Sequence, residues 1–216
     1  VNLFNKSSDN IEVLSQSYRI PKSVWRVART ITHRIVDRHI KMFKPRQEEG
    51  KVEYVNYLSE VPLSSGSFTL MARTNGYVSE MANYLRSNGF KFSRNGKSSL
   101  SDDLVGNILT WDTLCQDESV GVQQIKAFYS GVKKQGKDAV VRRGSTQMLD
   151  ALAPEDMLDM DTLIKDYGLQ RDASTSAYDV LNVSSSERDY IDAIFRRGED
   201  LLSSPRIKVS TFHAMK

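Results

Sequence analysis

Residues 68–93 read FTLMARTNGYVSEMANYLRSNGFKFS, and the spacing of their apolar side chains sets the layer structure expected of the chain. FTLMA at 68–72 is a short apolar run bounded by polar residues, as a buried strand would be. Val78, Met81, Ala82 and Leu85 then recur at helical spacing, Gly89 is a helix stop, and FKFS at 90–93 alternates again. This strand, helix, strand order predicts a right-handed crossover between parallel strands. RIKVS at 206–210 would add a further strand, so the first hundred residues and the last dozen are expected to build one α/β layer structure.

Upstream, Ile11, Val13 and Leu14 of IEVLSQSYRIP predict a strand that breaks at Pro21, a residue suited to a first helical turn. Val24, Ala28, Ile31 and Ile35 follow with helical period, while Arg26, Arg29, Arg34, Arg38 and Lys41 sit mostly off that stripe. The expectation is a long amphipathic helix with a basic outer surface, on which His33 and His39 have surface or packing roles. KPRQEEG closes it, and KVEYVNYL at 51–58 alternates like a strand with Val52, Tyr54 and Asn56 on one face.

Between Ser101 and Ser204 the texture is helical. Ser101 can cap a helix carrying Leu104, Ile108, Trp111 and Cys115; Val122, Ile125, Tyr129 and Val132 mark a second; Ser184 with Glu187 forms a capping box before RDYIDAIFRRGEDLL. The predicted organisation is an α/β domain over 1–100, a mostly helical insertion over 101–204, and a return strand over 205–216. Within the insertion Lys126, Lys133, Lys134, Lys137, Arg142 and Arg143 gather positive charge, and Asp150, Glu155, Asp156, Asp159, Asp161 and Asp166 follow with the opposite sign.

Composition bounds the function classes. The 216 residues carry 39% hydrophobic and 26% charged side chains with a net charge of +3, which permits a nucleic-acid partner without demanding one. One cysteine, Cys115, rules out an internal disulfide and fits a reducing compartment. No apolar run approaches the roughly 20 residues that cross a bilayer, and no basic-then-apolar leader opens the sequence, so a cytoplasmic protein without a membrane partner is expected. An opening Val1 and a stop in mid-element at Lys216 suggest a piece of a longer polypeptide.

RNGKSS at 94–99 imitates the end of a phosphate-binding loop, but G-x-x-x-x-G-K-[ST] needs glycine five positions before Gly96, where Lys91 stands. An ordinary Asn-Gly turn is the expectation. There is no G-x-S-x-G, no H-E-x-x-H and no metal-ligand spacing around His33, His39 or His213, so no metal site is expected. QSYRIP at 16–21 has two readings: a strand end with a tyrosine at the sheet edge and a solvated arginine, or an aromatic face for a purine followed by a guanidinium for a phosphoryl group. ARTN at 72–75 carries the same pair of readings at the carboxyl edge of a sheet, where open α/β sheets place ligands. STFHAMK at 210–216 offers hydroxyl, imidazole and ammonium donors for phosphate oxygens, or a satisfied turn histidine.

Taken in order, LSQSYRIP, LMARTNGYVSEMANYLRSNGFKF and IKVSTFHAMK resemble motif IV, the strand and helix with the Arg-Thr-Asn signature, and motif V of the second motor half of UvrD/Rep-type superfamily 1 DNA helicases. The texture, including YIDAIFRRGEDLLSSPRI before the third segment, is that of phage and bacterial members with a compact insertion. The resemblance implies a RecA-like parallel sheet layered with helices and a mostly helical inserted subdomain. It implies that Gln16, Tyr18 and Arg19 meet ATP, Tyr18 by stacking on adenine and Arg19 by reaching the γ-phosphate. It also implies that Arg73, Asn75, Thr211 and His213 touch single-stranded DNA, with motif V coupling that track to the nucleotide cleft. Lys216 would be the lysine before motif V's closing glycine and acidic residue. The family's phosphate-binding loop, magnesium-binding acidic motif and final arginine motif are not in these residues, so ATP and Mg2+ would be held mainly by an N-terminal motor domain of the same polypeptide. The isolated chain is then expected to hydrolyse nothing. Lys133, Lys134, Arg142 and Arg143 would either contact phosphates at a duplex junction or form a solvated face paired with the acidic segment. The alternative to a helicase is a non-catalytic nucleic-acid-binding module on the same scaffold.

Overall fold

The computed structural model describes residues 15–36 and 42–214. They form a mixed α/β protein, containing a sheet with parallel strands and eight helices among the described residues. The chain divides into two compact units, Val1–Val61 and Pro62–Lys216.

In the first unit, helix α1 spans Lys22–Thr32 with Pro21 in the N-cap position. Its predicted run through Ile35 and beyond is cut short: Thr30 and Thr32 turn their hydroxyls onto the carbonyls of Arg26 and Arg29. The chain then tightens as Arg34 and Ile35 donate to Ile31 and Thr32. Hydroxyls that compete for the helix's own acceptors weaken a last turn in this way. The apolar stripe is present, yet no residue of α1 is fully buried. The predicted strand at Ile11, Val13 and Leu14 lies outside the described residues, as do Arg38, His39, Lys41 and Lys216. No strand forms at 51–58; that stretch is irregular and ends in a 3-10 turn at Leu58–Glu60. Alternation predicts a strand only where an edge offers ladder hydrogen bonds, and Tyr54 is left 85% exposed.

The second unit is organised by a sheet of β1 (Phe68–Ala72), β2 (Phe92–Arg94), β3 (Lys97–Ser98) and β6 (Ile207–Thr211) in the order β1-β6-β2-β3. β1 runs through helix α2 (Asn75–Ser87) to β2, leaving a gap one strand wide that β6 fills in parallel with both. Ile207, Val209 and Ser210 are accordingly buried. β2 and β3 join through Asn95 and Gly96, both at positive φ (52° and 77°), the geometry of a tight hairpin turn. The Gly-Lys-Ser look-alike is thus a hairpin. Val78, Ala82 and Leu85 are the buried face of α2.

Helices α3 (Asp102–Cys115), α4 (Val122–Gly131), α5 (Ser145–Met148), α6 (Met160–Asp166) and α7 (Ala177–Val180) surround a core of their own. Trp111 stacks on Phe128 at 5.8 Å and 12°, above Leu114, Ile125, Tyr129 and Leu163. The predicted stripe Val122, Ile125, Tyr129, Val132 is fully buried, whereas Leu104, Ile108 and Cys115 lie at the margin of this core and Trp111 and Leu114 sit inside it. A short antiparallel pair, β4 (Val120–Gly121) with β5 (Met157–Leu158), ties the start of α4 to the start of α6. Helix α8 (Ser185–Arg197), capped by the Ser184–Glu187 box, packs on α2. Its Tyr190 hydroxyl bonds Phe90 O at 2.8 Å and Ser99 Oγ at 2.6 Å, which binds it to the sheet.

Candidate functional site

Parallel strands β1 and β6 end together, because Ala72 is in register with Thr211 and Phe212 N donates to Ala72 O at 3.1 Å. Two segments far apart in sequence therefore leave the sheet side by side: Arg73-Thr74-Asn75 from β1 and Phe212-His213 from β6. Thr74 is the N-cap of α2, its hydroxyl accepting from Tyr77 N at 3.5 Å. Arg73, Asn75, Tyr77, Phe212 and His213 are all exposed, and Thr211 is half-buried. The first turn of α2 carries no carboxylate, so its N-terminal N–H groups meet no competing anion there. The edge combines a guanidinium, an amide, a hydroxyl, an imidazole and two aromatic rings at the carboxyl ends of parallel strands, the usual ligand position of open α/β sheets. Chemically it suits a polyanion whose phosphates accept hydrogen bonds and whose other groups present π faces. Tyr77 and Phe212 are the functional candidates that motif reading passes over. Phe212 lies inside STFH, and the signal for it is a large aromatic at a strand end with no apolar period to bury it.

In the first unit Gln16, Tyr18, Arg46, Gln47 and Glu48 line a groove of about 450 Å³. Gln16 forms an isolated parallel bridge with Lys44, and Ser17 N donates to Lys44 O at 2.8 Å while Lys44 N donates to Ser15 O at 2.8 Å. Gln16 Nε2 faces only acceptors, the carbonyls of Ser17 at 3.0 Å and Pro45 at 3.3 Å. The amide is thereby oriented, and its Oε1 remains as the group able to accept a hydrogen bond from a ligand. Ser17 Oγ accepts from Arg19 N and Ile20 N, a serine turn that holds Tyr18 and Arg19 outward. The Tyr18 ring is 87% exposed. Arg19 is exposed but is not among the groove's lining residues. Arg46, which motif reading passes over, brings its Nε within 3.3 Å of Glu48 Oε2 and supplies the groove's cation. An open ring and an oriented amide acceptor offer a flat face and a hydrogen-bond acceptor to a planar base, beside a guanidinium already paired with the Glu48 carboxylate.

The basic segment of the helical part divides. Lys126 pairs with Asp150 at 3.0 Å, and Lys133 is half-buried with Nζ donating to Tyr178 O at 3.2 Å. Lys133 is therefore a structural donor. Lys134, Lys137, Arg142 and Arg143 are exposed around a loop whose base is closed by Val140 N to Lys133 O at 2.8 Å. Two of the acids that follow are engaged locally: Asp156 accepts from Ala153 N and Asp159 caps α6 through Thr162 N. Hydrogen bonds from Thr162 hold the Asp159 carboxyl below its ordinary range. Among the described residues no three or more His, Cys, Asp or Glu side chains cluster as a metal site, and no helix is long and apolar enough to cross a membrane. No protein-family model, curated protein or solved structure matches this chain.

Proposed function

We propose that the chain is the second, RecA-like motor half, with its helical insertion, of an ATP-dependent DNA helicase or translocase of the UvrD/Rep type. The observation that carries this reading is the in-register pairing of β1 with β6, which sets Arg73 and Asn75 beside Thr211 and His213 at one strand edge. Those four side chains donate to successive phosphates of single-stranded DNA, and the N-terminus of α2 adds its partial positive charge. Tyr18 stacks on adenine, Gln16 Oε1 accepts from its amino group, and Arg19 reaches across a cleft to stabilise charge on the γ-phosphate. ATP with Mg2+, held mainly by the partner motor half, supplies the free energy for cleft closure. Closing and opening moves the phosphate-gripping edge along the strand.

DNA-stimulated ATP hydrolysis by the full-length protein tests the reading. Arg19→Ala is expected to lower kcat by roughly 10³-fold, the size of arginine-finger effects, and Tyr18→Ala to raise KM for ATP with a smaller change in kcat. Wild-type kinetics in both variants, or hydrolysis by residues 1–216 alone, would overturn it. DNA binding with neither variant affecting nucleotide would point instead to a non-catalytic binding module.

A further inference from the structure

We propose that the groove between α3 and α8 docks an amphipathic helix of another protein, one with large apolar side chains along one face and Lys or Arg beside them. The groove encloses about 530 Å³, within the roughly 300–1,000 Å³ of ligand-binding clefts. Ile108 and Cys115, two turns apart on α3, line one side, and Ile191 and Phe195, one turn apart on α8, line the other. Leu202, in the loop after α8, adds to the lining. Phe195 is 54% and Leu202 70% exposed, so the groove presents large apolar groups to solvent. The stripe that sequence assigns to the buried face of α3 is divided here. Trp111 belongs to the core, while Ile108 and Cys115 pack against it on one side and stay half-buried where they face the groove.

The charge of the lining determines the occupant. Asp112, Glu199 and Asp200 line the same groove, and no Lys, Arg or His among the described residues does. Glu199 is paired with Arg206 at 2.8 Å. No ion pair to Asp112 or Asp200 is found among the described residues, and Lys91 reaches the carbonyl of Asp200, not its carboxylate. The negative field extends into the groove: burial first, and then the charges of Asp112, Asp117 and Asp172, push the Cys115 thiol above its ordinary range. Carboxylates repel phosphates, which disfavours nucleic acid here. A wholly apolar segment would desolvate Asp112 and Asp200 without pairing them. A basic amphipathic helix satisfies both demands, because apolar residues at i, i+3, i+4 and i+7 fit between two helical walls and its cations pair with the two carboxylates. This surface is separate from the β1/β6 edge and does not rest on the nucleic-acid reading.

The test measures binding of the full-length protein to a fluorescein-labelled helical peptide of about 14 residues, four turns, made of Lys with Leu at i, i+3, i+4 and i+7. Two control peptides carry Glu in place of Lys, or the same composition with the leucines scattered around the helix. The Leu/Lys peptide is expected to bind, and each control to bind roughly tenfold more weakly or not at all. Phe195→Ser and Leu202→Ser, both at exposed positions, should each weaken the Leu/Lys peptide roughly five- to thirtyfold with the thermal midpoint unchanged. Asp112→Asn should weaken it roughly two- to fivefold, the size of an exposed ion pair. Bound peptide should also slow alkylation of Cys115, read by mass spectrometry of the fragment that contains it. A wild-type protein that does not bind the Leu/Lys peptide, or binds the Glu peptide equally well, overturns the proposal. So does wild-type affinity in both Phe195→Ser and Leu202→Ser with Cys115 unprotected, which would place the peptide elsewhere. Self-association of the protein alone, abolished by Leu202→Ser in sedimentation velocity, overturns it too and gives the groove to a second copy of the chain.

Discussion

At Gly89 the chain leaves α2 with φ +68°, and a Cβ built there would stand 2.1 Å from Ala193 O and 2.4 Å from its carbonyl carbon on α8. Two demands meet at one position: a left-handed backbone, which costs an L residue about 1–2 kcal/mol, and close passage of a second backbone. Gly89→Ala is therefore expected to destabilise the sheet unit by about 3–5 kcal/mol, read as a lower midpoint of thermal unfolding. Gly89→Asn tolerates the left-handed conformation and should still fall nearly as far, because the clash belongs to Cβ. The turn was legible in the sequence as a helix stop; the close passage was not, because it depends on where a helix a hundred residues later comes to rest. Lys91 shows the same divide. In sequence it marks only the glycine missing from a phosphate-binding pattern. In the fold it is 5% exposed, and its ammonium donates to the carbonyls of Asp200 at 2.9 Å, Leu201 and Ser203. Burial draws its pKa below the ordinary lysine range, opposed by the charges of Asp200 and Glu199. Lys91→Met leaves those carbonyls without their donor and should cost about 2–4 kcal/mol, with faster amide exchange across residues 199–204.

Among the elements, α8 and β6 show what periodicity can and cannot reach. The Ser184–Glu187 box is readable from two letters at the right spacing, and the structure closes it: Ser184 N donates to Glu187 Oε2 at 2.9 Å and Glu187 N to Ser184 Oγ at 3.3 Å. The Ser184 side chain first, and its backbone second, hold the Glu187 carboxyl below its ordinary value of 4.5. A carboxyl lowered in the folded state contributes stability that is complete above its unfolded pKa and is lost as pH falls through the folded one. Ser184→Ala is thus expected to cost about 1 kcal/mol at neutral pH and progressively less below pH 4.5. Denaturant midpoints measured across pH 3–7 check this; a deficit that does not shrink in acid would mean that Glu187 does not hold the cap. β6 was legible as a strand, but not as the central one. Alternation records that a strand has a buried face, whereas its place between β1 and β2 is set by the one-strand gap that the β1-α2-β2 crossover leaves. The same weakness misled the reading of 51–58, where alternation occurs with no edge to pair with.

For the molecule as a whole, the balance of charge in the helical part decides between a solvated face and a nucleic-acid surface. The sequence shows a basic run followed by an acidic one, and linear proximity suggests mutual neutralisation. Folding pairs the two runs at one point, Lys126 with Asp150, and sends Asp156 and Asp159 to the Ala153 amide and the α6 cap. Lys133 is withdrawn in the other direction, into a hydrogen bond with Tyr178 O. Lys134, Arg142 and Arg143 stay exposed in the segment between α4 and α5. Four residues that a sequence can only treat alike are thereby assigned two physical roles. If the exposed three contact phosphates, replacing all of them by Ala should weaken binding of the full-length protein to a duplex-containing junction. The slope of log affinity against log salt should also flatten by about 2–3, because each lost phosphate contact removes about 0.9 from it. Thermal stability should barely move. Lys133→Ala should do the opposite, lowering the unfolding midpoint while leaving the salt slope intact. Equal salt slopes for the triple variant and wild type would remove the junction contact, and would make the exposed cations a solvated face, although among the described residues no ion pair to them is found.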